Sequence, residues 1–324
     1  MNTGFTTNEF SINGRVMSLM LDQTTIRNFC RQVSDFSIQE VEYKPFLRFK
    51  IANILNELTN GTLATYLQSV LHDRFTGAIV IDSCTHFFKE NIDYSYASDT
   101  KPYDKPFSGI FDKLDQTTFN VLFSTAISHL IGLPNLDSMS GKFYARFTVK
   151  HTDDSDSYLR QAYRKMELHT DGTYVDEKTD WVLMQKLSSA NCVGGESLLL
   201  HIKEWHALDK FYQHPLANED IQWSSPPSKN VSKKVYHPVF FNQKGFPCIS
   251  YIDQFAEPKN MEQGLYLHDI SEALEKDTNT VAIDIPVGGM LLINNSCWLH
   301  GRDKMKPHKN LSRELLRQRG TFFS

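Results

Sequence analysis

The chain has 324 residues, 40% of them hydrophobic and 22% charged, with a formal net charge of −4. That length supports one substantial core or two smaller ones. The near-neutral charge offers no basic field for nucleic acid, and no run approaches the roughly eighteen apolar residues of a membrane span. Cys30, Cys84, Cys192, Cys248 and Cys297 are scattered and form no C-x-x-C pair. They suit reduced thiols better than a disulfide scaffold. The segment from Met1 to Val16 lacks a basic region followed by an apolar one, so it is no signal peptide and a cytoplasmic location is expected.

In chain order, residues 1–15 read as a mobile N-terminal extension. Apolar residues at helical spacing predict helices over 24–33 and 39–60. The run 78–81 reads as a buried strand. Residues 116–131 read as an amphipathic helix that stops at Gly132 and Pro134. From about residue 141 the pattern changes to short strand-like runs at 143–149, 166–170, 181–187, 197–201, 235–240, 281–285, 290–293 and 316–323. Two helices, 202–212 and 260–276, intervene. Asp153-Asp154-Ser155-Asp156-Ser157 reads as a solvated acidic loop. Many short strands with Gly, Pro and Asn punctuation predict an α+β, mainly β fold. A double-stranded β-helix, or jelly roll, satisfies the pattern. The expected organisation is a single domain, 1–324, with a mostly helical flank over 16–140 and a jelly-roll core over 141–324.

The chemistry centres on Met166-Glu167-Leu168-His169-Thr170-Asp171-Gly172. Residues two apart in a strand share a face, so His169 and Asp171 point into one cavity. An imidazole and a carboxylate side by side supply two ligands for a divalent metal. A second histidine completes a 2-His-1-carboxylate facial triad with open coordination positions. His300, in Trp298-Leu299-His300-Gly301-Arg302 after an apolar run, is the candidate. The alternative is an ordinary histidine beside a tryptophan, bonded to Asp303. H-x-D is a short motif that also arises by chance. His151-Thr152-Asp153 is a second copy, but it runs into the acidic loop and reads as a decoy.

A cationic strand follows at the C-terminus. Arg317 and Arg319 alternate with Gln318, so both guanidinium groups share a face. Arginine offers a planar, bidentate cation for a carboxylate, and two of them can hold two acids. The plain alternative is a basic edge strand that discourages pairing.

The order of H-x-D, a Gly-Gly turn, a distal histidine and a strand arginine resembles the iron(II)/2-oxoglutarate oxygenases. Gly194-Gly195-Glu196-Ser197-Leu198 is similar to that superfamily's Gly-Gly-acid-Thr/Ser strand. Longer stretches resemble the carbon-starvation-induced family of glutarate 2-hydroxylases, from about residue 16 to the C-terminus. They include Phe143-Tyr144-Ala145-Arg146-Phe147, Pro226-Pro227-Ser228-Lys229-Asn230, Tyr251-Ile252-Asp253-Gln254-Phe255, Leu291-Leu292-Ile293-Asn294-Asn295 and Arg313-Glu314-Leu315-Leu316-Arg317-Gln318-Arg319. Thr170 stands where the pattern expects Asn, and Met184-Gln185-Lys186 where it expects Met-Met-Lys.

The resemblance implies Fe(II) on His169, Asp171 and His300, with 2-oxoglutarate and O2 as cosubstrates. Glutarate would be hydroxylated at C2 to (S)-2-hydroxyglutarate, with succinate and CO2 as coproducts, in lysine and glutarate catabolism. Arg319, assisted by Ser197, is expected to hold the cosubstrate's C5 carboxylate. Arg317 is expected to hold the substrate, with Arg146 and Tyr144 as further contacts. A homotetramer acting on a small dicarboxylate is also implied. The same chemistry on another small carboxylate or sulfonate, a zinc hydrolase on the same ligands, and a non-catalytic jelly-roll binding module remain as alternatives.

Overall fold

The computed structural model describes residues 3–11, 14–82, 114–137, 141–152, 161–225 and 234–323. Two strands open the chain, β1 (Phe5–Ser11) and β2 (Val16–Leu21). Four helices follow: α1 (Gln23–Val33), α2 (Ile38–Tyr43), α3 (Pro45–Leu58) and α4 (Thr62–His72). Then come β3 (Ala78–Ile81), α5 (Gln116–Ile131), β4 (Gly132–Pro134), β5 (Ala145–Lys150), β6 (Met166–His169), β7 (Trp181–Ala190) and β8 (Ser197–His201). The next group is α6 (Leu208–Tyr212), β9 (Ile221–Trp223), β10 (Val235–His237), β11 (Phe240–Gln243), β12 (Phe246–Ile249) and β13 (Ala256–Glu257). The chain ends with α7 (Met261–Glu275), β14 (Val281–Ile283), β15 (Met290–Asn294), β16 (Trp298–Arg302) and β17 (Ser312–Phe322).

Several boundaries depart from the sequence expectation, each for a local reason. Residues 5–11 form an edge strand paired antiparallel with β2, where an extension was expected. The helix expected over 39–60 breaks in two at Pro45. The residue before a proline avoids helical geometry, and Lys44 sits at φ −118°, ψ 83° while Pro45 takes the first helical position. Pro238 likewise separates β10 from β11. The helix expected over 202–212 is a 3₁₀ turn, Ile202–Glu204, followed by the short α6. The helix over 116–131 is present, but it is buried on every side rather than amphipathic. Asp115 caps its first turn by accepting from the Thr118 N–H at 2.9 Å. The acidic loop 153–157 and the segment 226–233 lie outside the described residues.

Two sheets face each other as a jelly roll. The large one has eight strands in the order β1-β2-β3-β15-β7-β17-β4, with β5 also paired to β17. The smaller has the order β14-β8-β16-β6. Period-2 alternation splits the large sheet into two faces. Leu183, Met290, Leu292, Ile79 and Leu316 join α1, α3, α4 and α5 in one core. Val182, Met184, Leu291, Ile293 and Val80 join the opposite sheet in the other. The helices therefore back the large sheet and leave its other face to line the cavity between the sheets.

At the heart of the helical layer, Phe123 stacks on Phe119 with centroids 5.5 Å apart and meets Phe29 edge-on at 5.9 Å. We expect Phe123→Ala to cost about 3–5 kcal/mol in chemical unfolding. Phe46→Ala, at a residue 68% exposed, should stay within about 0.5 kcal/mol. His129 on α5 is pushed down to about 4 by burial. Its unfolded value is about 6.5, so the unfolded chain binds more protons between those values and stability must fall as pH drops through that window. Replacing His129 with Gln should flatten that fall by about 1.4 kcal/mol per pH unit, read from unfolding curves at successive pH values.

Candidate metal centre

β6 and β16 are antiparallel neighbours, and their register sets His300 directly opposite His169. The two imidazole centroids lie 4.4 Å apart. Asp171 follows two residues after His169 and turns to the same point. One ligand atom from each of His169, Asp171 and His300 lies within 4.8 Å of the others. Two glycines permit this approach. Gly172 has φ +85°, and a Cβ there would collide with Thr179 Oγ1. A Cβ on Gly301, beside His300, would collide with the Met166 carbonyl of β6.

All three side chains are buried, at 5%, 9% and 3% exposure for His169, Asp171 and His300. His169 Nδ1 lies 2.8 Å from the Glu167 carbonyl, so it carries the proton and Nε2 is free to bind a metal. Burial pushes His169 down, and burial with the neighbouring His169 pushes His300 down to about 3. Burial opposes ionisation of Asp171, but Arg317 first, then His300, Arg319 and His169, outweigh it and hold the carboxyl below the usual carboxylate range. Two neutral imidazoles and one carboxylate are the protonation states a divalent ion requires. Asp171 Oδ2 and His300 Nδ1 are buried without a hydrogen-bond partner among the described residues. Buried polar atoms left unpartnered are costly, and a metal ion fits the donor set of two imidazoles and a carboxylate.

The arginines sort by strand face. β17 pairs with β7 so that Arg317 opposes Met184 and Arg319 opposes Val182, both on the cavity side. Arg317 Nη1 donates to Asp171 Oδ1 at 2.9 Å, and its guanidinium lies over the Phe147 ring at 4.8 Å. Arg319 is 7% exposed, and among the described residues its guanidinium has no hydrogen-bond or ion-pair partner. Ser197 opens β8, is 3% exposed, and pairs with Arg302, two residues beyond His300.

Arg146 and Tyr144 are not brought to this point. Arg146 opposes Leu316, so it projects from the helix-side face. There its Nε donates to Glu314 Oε1 at 2.7 Å. Tyr144 packs into the helical core and donates to the Glu42 carboxylate. His151 of the second H-x-D is exposed, and its partner Asp153 lies outside the described residues.

Arg313 is a residue for which no role was read in the sequence. It shares the cavity face with Arg317, opposes Val149, and is 2% exposed. Its Nε has no partner among the described residues. Burial pulls its guanidinium below the ordinary value, and Cys192, Asp284 and Glu196 partly offset this. Glu196 immediately precedes Ser197, so Arg313 stands near the hydroxyl expected to help bind the cosubstrate. Its place two residues before Leu315 and four before Arg317, on the same strand face, was the available signal.

Removing a ligand should empty the centre selectively. We expect His300→Ala and Asp171→Ala to lose stoichiometric Fe(II) after anaerobic loading and desalting, measured by metal analysis. His151→Ala should retain it.

The comparisons agree with this geometry. The family model described as CsiD matches residues 5–98 and 107–322. A glutarate 2-hydroxylase of Salmonella paratyphi B is 46% identical over 322 residues, covering 99% of this chain and 91% of the relative. One of Citrobacter koseri matches with the same identity and coverage. Among solved structures, an asparagine oxygenase in complex with Fe(II), 2S,3S-3-hydroxyasparagine and succinate superposes with a TM-score of 0.70 at 14% identity, covering 94% of this chain and 93% of that one. The non-heme iron oxygenase OrfP in complex with Fe and alpha-ketoglutaric acid gives a TM-score of 0.64 at 14% identity, covering 94% of both chains. At that identity the structures speak for the jelly-roll fold, while the sequence matches reach over nearly the whole chain. The chain belongs to the CsiD family.

Proposed function

We propose that this protein is an Fe(II)- and 2-oxoglutarate-dependent dioxygenase that hydroxylates glutarate at C2, giving (S)-2-hydroxyglutarate with succinate and CO2. The observation that carries the reading is the buried His169–Asp171–His300 cluster, with polar atoms of Asp171 and His300 unpartnered among the described residues. Family membership and the names of the 46% identical relatives supply the substrate. Iron, when bound, activates O2 against a C–H bond using electrons from the oxidative decarboxylation of 2-oxoglutarate.

The protein's own contribution is position and charge. His169 and His300 stay neutral and Asp171 ionised, so the three can hold the metal. Arg317 keeps Asp171 oriented from the side facing β17. The cationic cavity face then supplies sites for carboxylates. A chelating cosubstrate and a dicarboxylate substrate bring distal carboxylates that each need a cation.

Arg319 with Ser197 is the sequence-based assignment for the C5 carboxylate of 2-oxoglutarate, and Arg317 that for glutarate. One observation favours a second assignment. Arg313 is buried with an orphaned Nε near the Glu196–Ser197 strand start, which suits the cosubstrate carboxylate. Arg319 would then be released for the substrate, with Arg317 held to Asp171. No helix among the described residues is long and apolar enough to cross a membrane. We place the enzyme in the cytoplasm, as a homotetramer, acting on small dicarboxylates.

Anaerobic loading with Fe(II), 2-oxoglutarate and glutarate, followed by a pulse of O2, should yield a hydroxylated five-carbon diacid by mass analysis. Turnover without O2 or 2-oxoglutarate would favour a hydrolase instead. Steady-state kinetics separate the arginine assignments. If Arg313 holds the cosubstrate, Arg313→Met should raise KM for 2-oxoglutarate at least tenfold, while Arg319→Met raises that for glutarate. The reverse pattern restores Arg319 to the cosubstrate.

A further inference from the structure

Asp171 lies just beyond the end of β6, where ladder hydrogen bonds stop. Thr170 still pairs, its N–H donating to the Tyr251 carbonyl at 2.8 Å. Among the described residues Asp171 has no such strand partner. Its backbone is instead bracketed by one side chain 124 positions away. Asn295 Oδ1 accepts from the Asp171 N–H at 2.9 Å, and Asn295 Nδ2 donates to the Asp171 carbonyl at 2.9 Å. The same Nδ2 donates to the Thr179 carbonyl at 2.9 Å. One N–H and two carbonyls leave only this orientation of the amide.

The base of this clamp is itself fixed. Asn295 is 5% exposed and lies in the turn that joins β15 to β16. Its own N–H donates to the Asp180 carbonyl at 2.9 Å. The neighbouring Asn294 N–H donates to Gly77, Cys297 offers its carbonyl to Ile202, and Ser296 offers its carbonyl to Ile249. Five residues after Asn295, β16 presents His300. The carboxamide therefore ties the segment bearing the carboxylate to the segment bearing the distal imidazole.

We propose that Asn295 is a positioning residue for the metal centre, acting as a side-chain substitute for the missing strand partner of Asp171 and so fixing the carboxylate relative to His300. The inference rests on the metal-centre reading and goes beyond it by naming what holds the ligands in register. Arg317 pulls on the Asp171 carboxylate from one side. Arg317 fixes only the carboxylate end, so the backbone of Asp171 needs its own anchor to keep the carboxylate in register with His300.

The test titrates the apo full-length protein anaerobically with Co(II), comparing wild type with Asn295→Asp and Asn295→Ser. Asn295→Asp removes both donors and keeps an acceptor, and Asn295→Ser shortens the reach. Both should bind Co(II) at least tenfold more weakly, the scale typical of groups that orient ligands, and should show changed ligand-field absorption bands. Their unfolding should remain cooperative. Variants that melt earlier but bind Co(II) with wild-type affinity and spectrum would reduce Asn295 to a structural role and overturn the proposal. Failure of the wild type itself to take up Co(II) would sink the metal-centre reading and this inference with it, and is told apart because it appears before any substitution. Hydrogen exchange on the apo wild type decides the matter even if both variants misfold. The Asp171 amide should be strongly protected without metal, and exchange at the rate of an open loop would overturn the clamp.

Discussion

The antiparallel pairing of β6 with β16 is the constraint on which the rest depends. Sequence alternation can aim two side chains of one strand at one point, but a third must come from a neighbour in correct register. A slip of one residue would turn His300 to the other face. The structure guards that register at several levels. Gly301 lets β16 approach β6 closely, Thr170 and Tyr251 extend the pairing past the strand end, and the turn before β16 is pinned to three other segments. The helical layer packs against the back of the large sheet, whose other face carries Arg313, Arg317 and Arg319 of β17.

Charge organises the cavity as much as geometry does. Two buried arginines, Arg313 and Arg319, and the partly buried Arg317 share one face of β17, and the Asp171 carboxylate is paired with Arg317 beside two imidazoles. Such a concentration of positive charge is expensive to bury without anions. It is intelligible if the working state includes two doubly charged acids. Among the described residues the Arg313 Nε has no partner, whereas Arg317 is paired with Asp171.

Much of this was legible in the residues. The i, i+2 spacing of His169 and Asp171, and of Arg317 and Arg319, needs only strand alternation, and both pairs do share a face. His151 was set aside because its neighbours are acidic, and it is exposed. Arg146 and Tyr144 failed for a different reason. Strand periodicity says that they share a face with each other but not which face, and that depends on register against β17. Arg313 lies in the C-terminal motif but shows no role there, because its burial is a tertiary fact. Asn295 was equally visible and equally mute, since a carboxamide that pairs with the backbone of a residue 124 positions away leaves no periodic signal. The split at Pro45 was readable from the proline alone, whereas the burial of α5 on all sides required knowing that helices pack behind the sheet.

The account stands or falls on where a metal goes. Crystals grown anaerobically with Mn(II) and 2-oxoglutarate, with anomalous scattering used to find the ion, would answer this directly. The account predicts one strong peak bonded to His169, Asp171 and His300 together, with the cosubstrate's far carboxylate on an arginine of β17. An ion bound elsewhere, or a peak that leaves His300 beyond bonding distance, would contradict it.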